Sequence, residues 1–83
     1  MGEGEAMRRV ARRSHRTCIL DSSLLVAMTY SDSATLDLVF RNGAVYRYFA
    51  VSARIVEGLR TAPSPGAFFH RHIRNRFRYH RLT

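Results

Sequence analysis

The sequence contains no lysine and no tryptophan, and it has a single cysteine, Cys18. One cysteine excludes an internal disulfide framework and is compatible with a reducing compartment. No apolar run is long enough to span a membrane, because Asp21, Ser22 and Ser23 interrupt the apolar segment that ends at Tyr30. No apolar stretch of a signal peptide follows the basic N-terminus. We therefore expect a cytoplasmic protein that does not associate with membranes.

Acidic residues are also scarce, since six stand against fourteen arginines and leave a net charge of +8. Residues 1–20 hold five arginines and two acids (net +3), and residues 21–59 hold three arginines and four acids (net −1). Residues 60–83 hold six arginines and no acid. Arginine pairs bidentately with phosphate and stacks on bases, so its exclusive use favours nucleic-acid binding. A GC-rich genome would explain the missing lysine equally well, but it does not explain the excess of positive charge.

The length of 83 residues limits the chain to one small domain with a modest core. Residues 1–17 lack an apolar period and are rich in charge, which predicts a mobile basic arm. We expect residues 18–79 to fold and residues 80–83 to form a short tail. The candidate phosphate-binding residues of the arm are Arg8, Arg9, Arg12 and Arg13.

Alternating apolar residues predict three strands, at residues 24–30, 36–40 and 44–49. Between the last two, Asn42-Gly43 predicts a hairpin turn. A two-residue turn would bury Arg47 on the apolar face. A three-residue bulge loop, with Gly43 in the left-handed conformation, sends Arg47 to the other face instead. We expect this second register, because a slip of one residue turns every side chain over. It pairs Phe40 with Ala44, Leu38 with Tyr46 and Leu36 with Tyr48.

Two short helices are predicted after the strands. Ser52 is a suitable N-cap for the first helix, and Pro63 ends it. Ser64 and Pro65 are a suitable N-cap and first residue for the second helix. The core stripe of that second helix consists of Phe69, Ile73 and Phe77, and a second stripe carries Arg71, Arg74, Arg78 and, if the helix continues, Arg81. If the helix ends near Phe77 instead, Arg78 and Arg81 lie on a tail. The expected fold class is α+β, a three-stranded antiparallel meander followed by two short helices.

An ordered set of short motifs runs through residues 22–78. It consists of Ser22-Ser23, Tyr30, Leu36-x-Leu38-x-Phe40, Asn42-Gly43, Tyr46-x-Tyr48, Val51, Ala62, Ser64-x-Gly66, Phe69, Ile73-Arg74 and Phe77. In these motifs the chain resembles the KTSC domain family, named for its position at the C-terminus of some lysyl-tRNA synthetases. It departs from the family at Ser52, where a proline is usual. The resemblance implies a suspected RNA-binding role, no catalytic role, and structural roles for Phe40, Gly43, Tyr46, Tyr48, Gly66 and Ile73.

The basic C-terminal segment carries the strongest functional signal, because its arginines are interleaved with His70, His72, Tyr79 and His80 and with no acid. The alternative is a solvated helix face in an arginine-biased proteome. Arg47 is expected on an open sheet face, either as a phosphate or base contact or as a side chain extended along apolar neighbours. The candidate nucleic-acid-binding residues of the folded domain are Arg47, Arg71, Arg74 and Arg78. Arg74 would instead be structural if it pairs with Asp37 or with strand carbonyls.

Tyr46 and Tyr48 have two interpretations as well. They could stack on bases, but the expected register places them among apolar side chains, which favours a core position. The spacing of histidine and cysteine does not fit a zinc site, and no pair of carboxylates suits acid–base catalysis. We expect no catalytic residues, no metal and no cofactor. The leading hypothesis is a small non-enzymatic module that binds RNA or another polyanion. The alternative is a protein-interaction adaptor whose contact surface contains Val39, Val45 and Phe49.

Overall fold

A computed structural model describes residues 15–83 of the chain. Five strands form one antiparallel sheet in the order β1-β2-β3-β4-β5, and two helices connect β4 to β5. The elements are β1 (His15–Ile19), β2 (Leu25–Ser31), β3 (Leu36–Phe40), β4 (Val45–Tyr48), α1 (Ala53–Thr61), α2 (Pro65–His72) and β5 (Tyr79–Arg81). The predicted α+β class is confirmed, whereas the prediction of three strands is wrong.

The two additional strands form the edges of the sheet, at the ends that the sequence predicts as an arm and a tail. β1 pairs with β2 from His15↔Ser31 to Ile19↔Ala27, and β5 pairs with β4. Both segments are rich in charged or polar residues, so backbone pairing to a neighbouring strand, rather than apolar alternation, makes them strands. Residues 1–14, which include Arg8, Arg9, Arg12 and Arg13, lie outside the described residues.

The hairpin between β3 and β4 has the register expected from the sequence. Leu36 pairs with Tyr48 and Leu38 with Tyr46, and the amide of Phe40 donates to the carbonyl of Ala44 at 2.8 Å. Gly43 adopts a φ of 95°, which an L-residue with a side chain rarely adopts. The turn therefore fixes which side chains of β4 face the core.

The predicted helix caps are also confirmed. The side chain of Ser52 accepts a hydrogen bond from the amide of Ile55, and that of Ser64 accepts one from the amide of Ala67. α2 nevertheless ends at His72, earlier than the apolar stripe predicts. Asn75 has a φ of 64°, a left-handed conformation that asparagine tolerates well and that directs the chain out of the helix.

The early end of α2 separates the arginines that the sequence places on one helical stripe. Arg71 lies on α2, but Arg74 follows the helix and Arg78 immediately precedes β5. The prediction of an arginine stripe along one helix is therefore wrong, because the left-handed turn at Asn75 intervenes.

Both helices pack on one face of the sheet and bury a single core. The fully buried side chains come from both layers, and the largest are Leu25, Met28, Leu36, Leu38, Leu59, Ile73 and Val51. The hydroxyl of Tyr30 donates to the carbonyl of Val51 at 2.6 Å and ties β2 to the start of α1. The opposite sheet face, here called the open face, is covered by no helix of residues 15–83. None of the helices within the described range is long and apolar enough to cross a membrane.

Tyr48 lies at the edge of this core and is only 5% exposed. Burial raises the pKa of Tyr48 to about 12, with smaller contributions from Tyr46 and Tyr79, while the positive charge of Arg74 opposes the rise. An ionised Tyr48 would place a negative charge in an aromatic environment, so the fold favours the neutral hydroxyl.

The raised pKa of Tyr48 makes folding stability depend on pH in alkaline solution. An unfolded tyrosine titrates near 10, so the contribution of neutral Tyr48 is fully present below about pH 10. It is lost as the pH rises through the folded pKa of about 12. Urea midpoints measured from about pH 9 to about pH 12 should fall over this window. They should fall less steeply in Tyr48→Phe, and an equally steep fall in that variant would contradict the assignment.

Candidate nucleic-acid interface

A groove of about 370 Å³ opens between the end of α2 and the β4–β5 edge of the sheet. We call it the tyrosine groove, because Tyr46 and Tyr48 of β4 and Tyr79 of β5 line it together. The register explains this arrangement, since Tyr46 pairs with Arg81 and Tyr48 with Tyr79 on the face that the helices cover. The remaining lining residues are Leu24, Phe40, Asn42, Ala44, Phe69, His70, Arg74, Asn75 and Arg81.

Aromatic rings form the floor of the tyrosine groove. The centroid of Tyr79 lies 5.6 Å from that of Tyr46 and 5.8 Å from that of Tyr48. Phe69 packs edge-on against Tyr48 at 5.9 Å and against Phe40 at 5.3 Å. These distances are typical of favourable aromatic pairs. Tyr48 is buried beneath the others, whereas Tyr79 is 57% exposed, so the groove presents a tyrosine ring to solvent.

Positive charge borders the aromatic floor on two sides. The guanidinium of Arg81 lies over the ring of Tyr46, with Cζ 5.6 Å from the centroid. On the side of the groove formed by the end of α2, Nη1 of Arg74 lies 3.5 Å from Nδ1 of His70. None of the residues from 15 to 83 that line the groove is acidic. The groove therefore combines exposed aromatic surface with unneutralised arginine, a combination that suits stacking on a base and pairing with a phosphate.

The charge of the C-terminal segment is not compensated by acids in the described part of the chain. Within residues 15–83, Asp or Glu side chains pair with Arg47 and Arg60. None pairs there with the exposed arginines of the C-terminal segment, namely Arg71, Arg74, Arg76, Arg78 and Arg81. Arg81 donates its Nε to the backbone oxygen of Thr83, and exposed guanidinium groups such as these can form charge-assisted pairs with phosphate.

Arg47 lies on the open face, as predicted, but it is engaged there. Its Nε and Nη2 donate to the two carboxylate oxygens of Asp37 at 2.8 and 2.9 Å. The hydrogen bonds and the charge of Asp37 raise the pKa of Arg47. Asp37 is thus the partner of Arg47 and not of Arg74, whose side chain lies on the other face, in the tyrosine groove.

The structure brings together only some of the arginines that the sequence indicates. Arg74 lines the tyrosine groove, and Arg71 is exposed on α2. Arg78 stacks over Phe49 at 5.5 Å, and β4 directs Phe49 to the same side as Arg47. The predicted residues are therefore divided between the groove, the helix surface and the open face.

The residues of the family motifs have structural explanations. Tyr48 and Ile73 are buried, and Phe40 packs against the core. A Cβ on Gly66 would lie 3.4 Å from Cβ of Leu24, at the limit of ordinary van der Waals contact, so α2 packs directly on the chain before β2 at this glycine. Tyr46 is part of both the core and the candidate site, because it packs against the core and also lines the tyrosine groove.

Sequence reasoning missed Tyr79 and Arg81 as partners of the tyrosines in β4. Both side chains lie on the helix-covered side of β5 because this strand pairs with β4. Three strand residues without apolar alternation give too weak a signal for a strand. The sequence did contain one indication that the chain turns back before β5. Asn75 lies within the arginine-rich segment, and asparagine is suited to the left-handed conformation that it adopts there.

No site for a metal ion emerges from the described residues, among which no three His, Cys, Asp or Glu side chains are grouped suitably. The chemistry available in the groove is that of tyrosine hydroxyls, arginines, one histidine and two asparagine amides. These groups bind planar and anionic ligands through stacking, hydrogen bonds and charge.

Comparisons with known proteins agree on the family. Lysine–tRNA ligases of Trichormus variabilis and Nostoc sp. PCC 7120 are 42% and 38% identical to this chain, over 53 and 64 residues. These matches cover 64% and 76% of the chain but only 9% and 11% of the ligases. The chain therefore spans about a tenth of the length of these curated relatives.

The fold is also similar to a solved structure. A KTSC domain protein from Yersinia pestis superposes with a TM-score of 0.78 at 26% identity, covering 84% of this chain and all of that one. The family model for the KTSC domain matches residues 21–77, which contain β2 to β4 and both helices. Together with the motifs of β2 to β4, this match shows that the chain belongs to the KTSC domain family.

Proposed function

We propose that this protein is a small non-enzymatic module of the cytoplasm that binds RNA through the arginines around the tyrosine groove. The observation that carries the proposal is that Arg74 and Arg81 line a groove with aromatic rings, of which Tyr79 is exposed, and with no acid among the described lining residues. Phosphate contacts supply most of the affinity in non-specific nucleic-acid binding, and arginine supplies them bidentately.

The relatives support RNA as the polyanion. The curated relatives that contain a similar segment are named lysine–tRNA ligases, and such an enzyme acts on tRNA. A basic accessory module in this context would increase contact with an RNA backbone. The folded domain would contribute Arg71 and Arg78 in addition to the arginines of the groove, and Arg8 to Arg13 would add further phosphate contacts.

The proposal predicts that RNA affinity falls steeply with salt and that the groove arginines contribute to the slope. Each phosphate neutralised on single-stranded RNA contributes about −0.7 to the log–log slope of affinity against salt. Replacing Arg74 and Arg81 together by glutamine should make the slope shallower by about 1.4. Fluorescence anisotropy of a labelled RNA between about 50 and 200 mM KCl measures this change.

A matched variant separates the groove from net charge alone. Arg54 and Arg60 are exposed on α1, outside the groove, and their replacement by glutamine removes the same two charges. The ion pair of Arg60 with Glu57 is exposed, so its loss should hardly affect stability. The double replacement of Arg54 and Arg60 should therefore leave most of the salt dependence of RNA affinity unchanged. Equal losses in both double variants, or no binding of bulk tRNA at low salt, would contradict the proposal.

The open face supports a second candidate function, docking on another protein. One row of apolar side chains crosses β1 to β4 there, because Ile19 pairs with Ala27, Ala27 with Val39 and Val39 with Val45. Leu82, directly after β5, extends the row by donating its amide to the carbonyl of Val45. Ile19 is 79% exposed. A continuous apolar row on a sheet face that no helix of the described residues covers is typical of protein contact surfaces.

Protein docking predicts a different response to mutation. A partner bound at the open face should remain bound after nuclease treatment, and Ile19→Asp should release it. The exposure of Ile19 makes this variant compatible with folding. Arg74→Gln, in the tyrosine groove, should leave such a complex intact. Quantitative pull-down from nuclease-treated extract measures both effects, and loss of the partner on nuclease treatment would exclude docking through this face.

A further inference from the structure

We propose that the tyrosine groove holds one unpaired nucleotide of a single-stranded RNA, with the base against Tyr79 and a phosphate beside Arg74 and Arg81. The inference rests on the proposed RNA-binding function. It adds the form of RNA that is preferred and the residue that contacts the base.

Tyr79 is the ring of the groove that a base can reach. Tyr48 is buried, and the guanidinium of Arg81 lies over Tyr46. Tyr79 is 57% exposed, yet its ring packs against both other tyrosines at 5.6 and 5.8 Å. Its position on a paired strand also restricts its backbone. A supported but exposed ring is a stacking platform that loses little conformational freedom when a ligand binds.

The groove favours an unpaired base, because only an unpaired base exposes a face that can reach the ring of Tyr79. In a duplex, neighbouring base pairs cover both faces of each base, so its faces cannot stack on a protein ring. An unpaired base presents its face and its Watson–Crick edge together. The groove volume of about 370 Å³ lies within the range of pockets that hold small ligands, roughly 300 to 1,000 Å³. One nucleotide therefore suits the groove better than a helical segment.

Polar groups at the groove match the other parts of a nucleotide. Asn42 and Asn75 line it, and amide side chains offer both donors and acceptors to a base edge. The Oδ1 atom of Asn42 accepts a hydrogen bond from the amide of Ala44 at 3.0 Å, which leaves its NH₂ group to donate. Arg74, which follows α2, and Arg81 of β5 both line the groove, so a phosphate of the bound nucleotide meets positive charge there.

The test compares a labelled single-stranded RNA with the same strand in a duplex, using the full chain and fluorescence anisotropy. The single strand should bind more tightly. Tyr79→Ala should weaken its binding roughly 5- to 150-fold, the range measured for loss of one base–aromatic stack. Tyr79→Phe should retain the affinity, because the ring remains. Leu82→Ala is the matched control. Leu82 directly follows β5 and its side chain faces the open face, so this variant should change the affinity for the single strand less than twofold.

Two further measurements use the protein without any substitution. A 2-aminopurine placed in the strand should lose fluorescence when it stacks on Tyr79, and an abasic site at the same position should weaken binding. Adenosine monophosphate alone distinguishes a free nucleotide from a strand, since the proposal predicts that it binds far more weakly than the oligonucleotide.

The outcomes separate this inference from the broader function. Equal affinity for duplex and single strand, with no effect of Tyr79→Ala and no 2-aminopurine quenching, would overturn the inference. The salt dependence from Arg74 and Arg81 would then still support RNA binding. Adenosine monophosphate binding as tightly as the strand would identify a free nucleotide as the ligand and would also overturn it. The absence of any RNA binding would overturn both proposals.

Discussion

The pairing of β5 with β4 is the interaction on which the candidate site depends. It places Tyr79 beside Tyr48 and Arg81 beside Tyr46, and thereby builds one wall of the tyrosine groove from a strand of three residues. The pairing requires the chain to turn back after α2, which the left-handed conformation of Asn75 provides. Without that turn, a continued helix would carry the C-terminal arginines away from the aromatic cluster. A local backbone preference thus determines where the charge of the chain lies.

The arrangement of charge follows from the same topology. Arg47, at the centre of the sheet, is paired with Asp37 on the open face, and this bidentate contact satisfies both groups. The arginines beyond α2 have no acidic side chain as partner within residues 15–83. Within the described part of the chain, the centre of the sheet is therefore nearly neutral, whereas the arginines at its β5 edge have no acidic side chain as partner. Exposed arginine beside aromatic rings offers a phosphate contact and a stacking surface together, which is the physical basis of the proposed function.

The sequence contained enough information for the centre of the fold but not for its edges. Alternation and the Asn42-Gly43 turn predicted β2 to β4 and their register, and Ser52 and Ser64 predicted the helix starts. These signals are local and strong. β1 and β5 are edge strands whose residues gain stability from pairing with a neighbour, so their own pattern carries little information. The prediction of Arg74 as a candidate site residue remains a prediction, and the groove adds Tyr79 and Arg81, which lie beyond the 21–77 range matched by the family model.

The central claim is that one edge of the KTSC fold, and not charge spread over the whole surface, binds RNA. Backbone amide shifts of the ¹⁵N-labelled protein, followed by NMR during titration with a short single-stranded RNA, test this claim most directly. The account predicts that the largest shifts lie around Tyr46, residues 73–75 and β5, with small shifts along the apolar row from Ile19 to Leu82. Shifts centred on the open face, or of equal size over the whole surface, would contradict it.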